Sequence, residues 1–210
     1  MITFVTFAPL VAALLIVLTP SGQVRVMRLL ALFGSLLSLG GVVSMIWDFD
    51  SSSGLQFVEK VTWIPGLGVN YFVAVDGVSM LVLLLTALLA PVTVLASWGQ
   101  KKREKAYFTL LSVQFTALYG TFTALNFFHW FIFWEGALVP AFFLIKLFGG
   151  GVRRHQAALK FFLFTALGSV FMLLGFVIVF LHSGLFDFPA LAQLAGSGKL
   201  PSDLGALYPW

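Results

Sequence analysis

Between Ala106 and Gly149 the chain carries only two charged residues, Glu135 and Lys146. As one continuous helix this stretch would be roughly 66 Å long, at about 1.5 Å per residue. The hydrocarbon core of a bilayer is about 30 Å thick. The run is therefore expected to fold back on itself, and Asn126 is its best turn residue. It then makes two membrane helices, over 106–125 and 127–148. Four other stretches hold enough consecutive apolar residues to span, near 2–18, 29–47, 77–98 and 157–182. The first has no Lys or Arg ahead of it and no convincing cleavage site, so it reads as a span rather than a signal peptide.

Composition agrees with this reading. Charged residues are 10% of the chain and apolar residues 60%, with a mean hydropathy of +1.03. A soluble domain carries about 25% charged residues. The expected class is an all-α integral membrane protein with about six transmembrane helices over 1–182, followed by a tail over 183–210. A short amphipathic helix is expected around Phe188–Leu194. The 24 Phe exclude disorder, and the lack of Cys removes thiolate metal sites, Fe–S ligation and thiol chemistry.

The connecting segments alternate in charge. The first, third and fifth hold eight Lys/Arg (Arg25, Arg28, Lys101, Lys102, Arg103, Lys105, Arg153, Arg154) against Glu104 alone. The long second segment and the tail hold Asp48, Asp50, Glu59, Asp76, Asp187 and Asp203 against Lys60 and Lys199. Lys and Arg are retained on the cytoplasmic side. Both termini are therefore expected outside, in a bacterial inner membrane. The net charge of +4 reflects this sidedness and not nucleic-acid binding. Trp63, Pro65, Gly66 and Tyr71 read as an interfacial loop with aromatic anchors. Gly149-Gly150-Gly151 is expected to end the fifth helix, since glycine satisfies a left-handed C-terminal cap.

Three charges remain inside spans. Glu135 lies about seven residues into the fifth, roughly 10 Å below its outer end. A charge at such depth costs about 2.5–3.5 kcal/mol on insertion scales, and such residues mark ion or proton routes. The competing reading is a protonated glutamic acid bridging two helices. Pro140 leaves the Gly136 carbonyl without its helical donor and is expected to bend the helix. Lys146 and Lys160 are relay candidates, against the plainer reading that both snorkel to the headgroups. Ser112, Thr116, Tyr119 and Thr123 share one face of the fourth helix. They line either a hydrated passage or a contact between helices. His129, His155 and His182 have no metal-ligand spacing, and no glycine-rich phosphate loop is present. No cofactor or metal site is expected in this chain.

Several segments read together: Trp63-x-Pro65, Tyr71, Val75-Asp76-Gly77-Val78-Ser79, Phe133-Trp134-Glu135 with Pro140, and Leu144-Ile145. After them come Phe148-Gly149-Gly150, Arg154, Ala157-Ala158-Leu159-Lys160-Phe161-Phe162 and Gly168-Ser169. Taken in this order they resemble the antiporter-like membrane subunits of respiratory complex I, most closely subunit M or chain 4. The resemblance implies a proton-pumping subunit of NADH–quinone oxidoreductase, with the bilayer, protons and other membrane-arm subunits as partners. It places NADH, flavin, Fe–S centres and quinone in other subunits. It also implies that Glu135 is the proton-handling glutamate of the fifth helix, partnered in the family by a lysine on a seventh. The family fold has about fourteen helices with two inverted five-helix repeats. On that pattern the chain is expected to be an N-terminal portion, holding the first three helices and the start of one repeat. Subunits of cation/proton antiporters and membrane-bound hydrogenases share the resemblance, and a truncated, non-transporting membrane protein is the remaining alternative.

Overall fold

The structure is a computed structural model, and it describes residues 1–197. Lys199, Asp203 and the end of the tail lie outside the described residues. Six long helices follow one another: α1 (Ile2–Leu18), α2 (Val24–Trp47), α3 (Gly77–Ala96), α4 (Glu104–Thr123), α5 (Phe127–Phe148) and α6 (Arg154–Ser183). A short helix, α7 (Phe188–Gly196), comes last. Helices α2, α3, α5 and α6 are long and apolar enough to cross a membrane. Helix α1 is apolar but has only 17 residues. Helix α4 is diluted by Thr109, Ser112, Gln114, Thr116 and Thr121, which lower its hydropathy without adding charge. The protein is an integral membrane protein.

The all-α expectation needs correction. The second connecting segment is an antiparallel hairpin rather than a loop, β1 (Gln56–Ile64) and β2 (Val69–Val75). Its residues explain it. Val, Phe, Tyr, Trp and Thr dominate both flanks, and these side chains suit a pleated surface. Pro65-Gly66-Leu67-Gly68 makes the reversal, with Gly68 in the left-handed conformation (φ 66°) that its missing Cβ permits. The register pairs Glu59 with Val73, Lys60 with Phe72 and Val61 with Tyr71. Strand β2 faces inward through Val69, Phe72, Val73, Ala74 and Val75, and β1 remains largely exposed.

The core lies among α1–α4 and β2, and is filled by Ile2, Val5, Ile16, Met27, Met45, Leu83, Phe108 and Tyr119. Close approach of α1 and α2 depends on small residues. A Cβ on Gly34 would lie 2.6 Å from the Ala12 Cβ, and one on Gly41 would lie 2.6 Å from the Val5 Cγ2. Such small-residue contacts let membrane helices gain dispersion energy where no hydrophobic force drives them together. Helix α5 packs on α4, and α6 packs on α5. Helix α6 buries only Ala158 and Ser169.

Helix α2 begins at Val24, earlier than residue 29, so Arg25 and Arg28 belong to its first turns. Gly149 ends α5, but not through a left-handed cap: its backbone is extended (φ −59°, ψ 148°), and Gly151 has the positive φ (84°). Glycine is needed at 149 for another reason, because a Cβ there would lie 2.4 Å from the Ile145 carbonyl oxygen.

Helix α3 starts with a capping box. The Asp76 carboxylate accepts from the Ser79 backbone N–H at 2.8 Å, and the Ser79 hydroxyl accepts from the Asp76 N–H at 2.7 Å. The Asp-Gly-x-Ser segment is thus a helix start with two orphan donors satisfied. Hydrogen bonds from the Ser79 backbone and side chain hold the Asp76 carboxyl below its ordinary value. Asp76→Ala is expected to cost about 0.5–2 kcal/mol of stability, read by thermal unfolding in detergent. The folded value is the lower one, so the cap contributes fully above the unfolded carboxyl range and fades as pH falls through the folded value. The gap between wild type and variant should therefore close in acid.

Candidate proton-handling site

Helix α5 positions Glu135 through one aromatic lock. Phe133 projects onto α4 at Gly120, where a Cβ would lie 2.2 Å from the Phe133 Cδ1. The same ring meets Phe7 of α1 at 6.1 Å and His129 at 5.0 Å between centroids, both edge-on. Two residues later comes Glu135, half-buried, with Oε1 shielded from solvent and without a hydrogen-bond partner among the described residues. A buried polar atom without a partner costs about 1–3 kcal/mol. Helix α5 runs through Pro140 without interruption, and Pro140 is buried one turn beyond Glu135.

The other sequence candidates are spread out. Lys146 sits in the last turn of α5 with its Nζ 5.2 Å from the Phe142 ring centroid. Lys160 is exposed on α6. Neither forms an ion pair with Glu135; the ion pairs among the described residues are Met1–Glu59 and Lys60–Asp187. Ser112, Thr116, Tyr119 and Thr123 share one face and all are buried. Thr116 and Thr123 turn their hydroxyls back to the carbonyls of Ser112 and Tyr119, at 3.2 and 2.9 Å. This stripe is the packing face of α4 against the core.

The structure adds a polar cluster that the sequence reading left scattered. At the hairpin end, Asp187 accepts from Lys60 Nζ at 2.6 Å, from Asn126 Nδ2 at 2.7 Å and from Asn70 Nδ2 at 3.1 Å. Asn126 also caps α5, accepting from the His129 N–H at 3.4 Å. Backbone bonds complete the junction: Leu125 N–H to the Phe72 carbonyl, Phe127 N–H to that of Phe186 and Phe188 N–H to that of Leu125. These ties join β2, the α4–α5 turn and the α6–α7 loop. Beside them His129 is buried against Tyr71 at 4.6 Å between centroids. Tyr71 bonds to Thr3 at 2.6 Å, and Thr3 donates to Glu59, which also holds the N-terminal ammonium. Burial pushes the Glu59 carboxyl up, but the ammonium and Thr3 outweigh it and hold it below its ordinary value. Sequence spacing could not reveal these partners, because Lys60 and Asp187 are 127 positions apart. The signal available was the hairpin, which brings Tyr71 and Glu59 over the helix ends. Among the described residues no three His, Asp or Glu side chains gather where a metal could be held.

The sequence and the fold both match known proteins. Residues 124–207 match the family described as NADH:quinone oxidoreductase/Mrp antiporter, transmembrane. The chain belongs to this antiporter-like family. It is 38% identical over 197 residues to NAD(P)H-quinone oxidoreductase chain 4 of Nostoc, covering 91% of this chain and 36% of that subunit. It is 46% identical over 145 residues to F(420)H(2) dehydrogenase subunit M of Methanosarcina mazei, covering 68% of this chain and 29% of that subunit. One chain of respiratory complex I from Thermus thermophilus with bound NADH superposes with a TM-score of 0.76 at 27% identity, over 89% of this chain and 38% of that one. The chain spans about a third of the length of the curated relatives it matches. Glu135 and Pro140 both fall within the family match.

Proposed function

We propose that this chain is part of a proton-translocating membrane-arm subunit of an NADH:quinone oxidoreductase. The observation that carries the proposal is Glu135: an intramembrane carboxyl with one buried oxygen that has no partner among the described residues, inside the segment that matches the antiporter family. Complex I chain 4 relatives support the quinone-reductase setting. In this reading Glu135 accepts and releases a proton while other subunits carry electrons from NADH to quinone. Flavin, Fe–S centres, NADH and quinone belong to those subunits, and this chain contributes no redox group. A cation brought near the carboxylate favours its ionised form, and withdrawal of that cation favours proton uptake. Lys146 and Lys160 remain relay candidates at the opposite end of the bundle from the hairpin. The broad exposed sides of α5 and α6 are where further helices of the subunit would pack, supplying that cation.

We further infer that all six long helices span, α1 and α4 among them, as the start of an inverted-repeat assembly. The basic ends of the helices then face the cytoplasm of a bacterial cell, and both termini and the hairpin face outward. Reporters fused after Lys102 and after Lys60 should register inside and outside respectively; the reverse pattern would overturn the orientation.

Glu135→Gln removes the titrating proton and keeps the shape. In the intact complex it should abolish proton pumping coupled to NADH oxidation, while the variant still assembles. Pumping at the wild-type level would exclude Glu135 from the route. A second reading, a subunit of a cation/proton antiporter, is supported by the family description, which joins both classes. Vesicles carrying the assembled protein separate the two: an antiporter acidifies or alkalises its lumen on a sodium or potassium jump without any NADH.

A further inference from the structure

At the end of the bundle opposite the hairpin, two cavities adjoin. The first, of about 490 Å³, is lined by Lys102, Arg103, Lys146, Arg154 and His155, with Leu147 and Phe148. These side chains come from the α3–α4 connection, the last turn of α5 and the first turn of α6. The second, of about 530 Å³, is lined mainly by Val17, Ala106, Leu110, Phe143 and Leu147, with Lys105 and Thr109 beside them. Arg103 and Leu147 line both.

Of the other cations at this end, Arg28 and Lys105 are engaged, and Arg25, Lys101 and Arg153 line neither cavity. Arg28 donates to the Gln100 carbonyl at 2.9 Å, and Lys105 to that of Val17 at 2.8 Å. The Lys102, Arg103, Lys146 and Arg154 side chains have no ion pair or hydrogen bond among the described residues. Glu104, in the first turn of α4, does not line the basic cavity. Arg103 itself has a left-handed backbone (φ 50°), a costly conformation for a residue with a Cβ. Four cations brought to one cavity repel one another unless an anion is shared between them. The apolar groove continuing past Arg103 and Leu147 tells what kind of anion: one carrying a hydrocarbon tail.

We propose that this double cavity binds one anionic phospholipid, its phosphate among Lys102, Arg103, Lys146 and Arg154 and an acyl chain along Leu110 and Phe143. The site would tether the α3–α4 connection and the α5–α6 end to the lipid of one leaflet. Basic pockets between membrane helices recognise anionic headgroups, and each cation near the membrane surface contributes about a fivefold preference.

The test uses the purified chain in a neutral detergent with spin-labelled phosphatidylglycerol, spin-labelled phosphatidylcholine and inorganic phosphate. Wild type should immobilise phosphatidylglycerol in preference to phosphatidylcholine. Lys102→Gln with Arg154→Gln should lower that preference roughly fivefold per cation removed, and Arg154→Lys should keep it. Leu110→Gln should weaken retention of the lipid without changing the effect of headgroup charge. Circular dichroism confirms that each variant keeps its helices; if the double variant does not, Lys102→Gln alone reads the same ratio. Equal immobilisation of the two lipids overturns the proposal, as does an unchanged ratio in the charge variants. Loss of bound lipid to inorganic phosphate with no effect of Leu110→Gln would make the pocket a free-phosphate site and also overturn it.

Discussion

Asp187→Ala should loosen the whole hairpin end of the bundle. The carboxylate is the common acceptor for Lys60, Asn70 and Asn126. Its removal does not affect the three donors equally. Lys60 is half-exposed and can turn to water, so its ion pair contributes little net stability. Asn126 has no exposed surface, and its amide would lose its acceptor where water cannot replace it. That loss is expected to cost about 1–3 kcal/mol. The effect should be local first. Amide exchange should accelerate at Leu125, Phe127 and Phe188, whose N–H groups bond across the same junction, before thermal unfolding shifts. Asp187→Asn keeps an acceptor oxygen for Asn126 and should retain most of the protection. If Asp187→Ala leaves exchange at those three amides unchanged, the cluster does not hold the junction.

The contrast between Asp187 and Glu135 shows what a sequence of this kind discloses. Hydropathy needs no partner, so the long helices could be placed from runs of apolar residues alone. Glu135 was legible for the same reason: a charge inside such a run is conspicuous wherever it points. The hairpin was not, although Val, Tyr, Phe and Thr flank a Pro-Gly-x-Gly turn, because Trp63, Pro65, Gly66 and Tyr71 read equally well as aromatic anchors of an interfacial loop. In the structure the hairpin's charges are used locally, Glu59 on the N-terminus and Thr3, Lys60 on Asp187 and over the Phe72 ring at 4.6 Å. Asp187, Asn126 and His129 looked like a tail acid, a turn residue and a stray imidazole. Their meaning is tertiary, set by segments that meet only once the helices have packed. The stripe on α4 illustrates the opposite failure. Its four hydroxyl-bearing residues do share a face, but helical spacing alone does not say whether a face meets water or protein.

Gly120 is where packing most directly governs the candidate site. An added methyl group would lie 2.2 to 2.5 Å from three carbons of the Phe133 ring. The ring cannot easily give way, because Phe7 and His129 pack against it. Gly120→Ala should therefore force α5 off α4 rather than rotate one side chain, at about 1–3 kcal/mol for overpacking. Glu135 is two residues beyond Phe133, so the same displacement should disturb proton handling in the intact complex without touching the carboxyl. Pairing Gly120→Ala with Phe133→Leu tests the cause. If the clash is responsible, the smaller side chain makes room, and the double variant should be more stable than the sum of the single effects predicts. Strict additivity would mean that the two residues act independently, and that α5 is positioned by some contact other than this one.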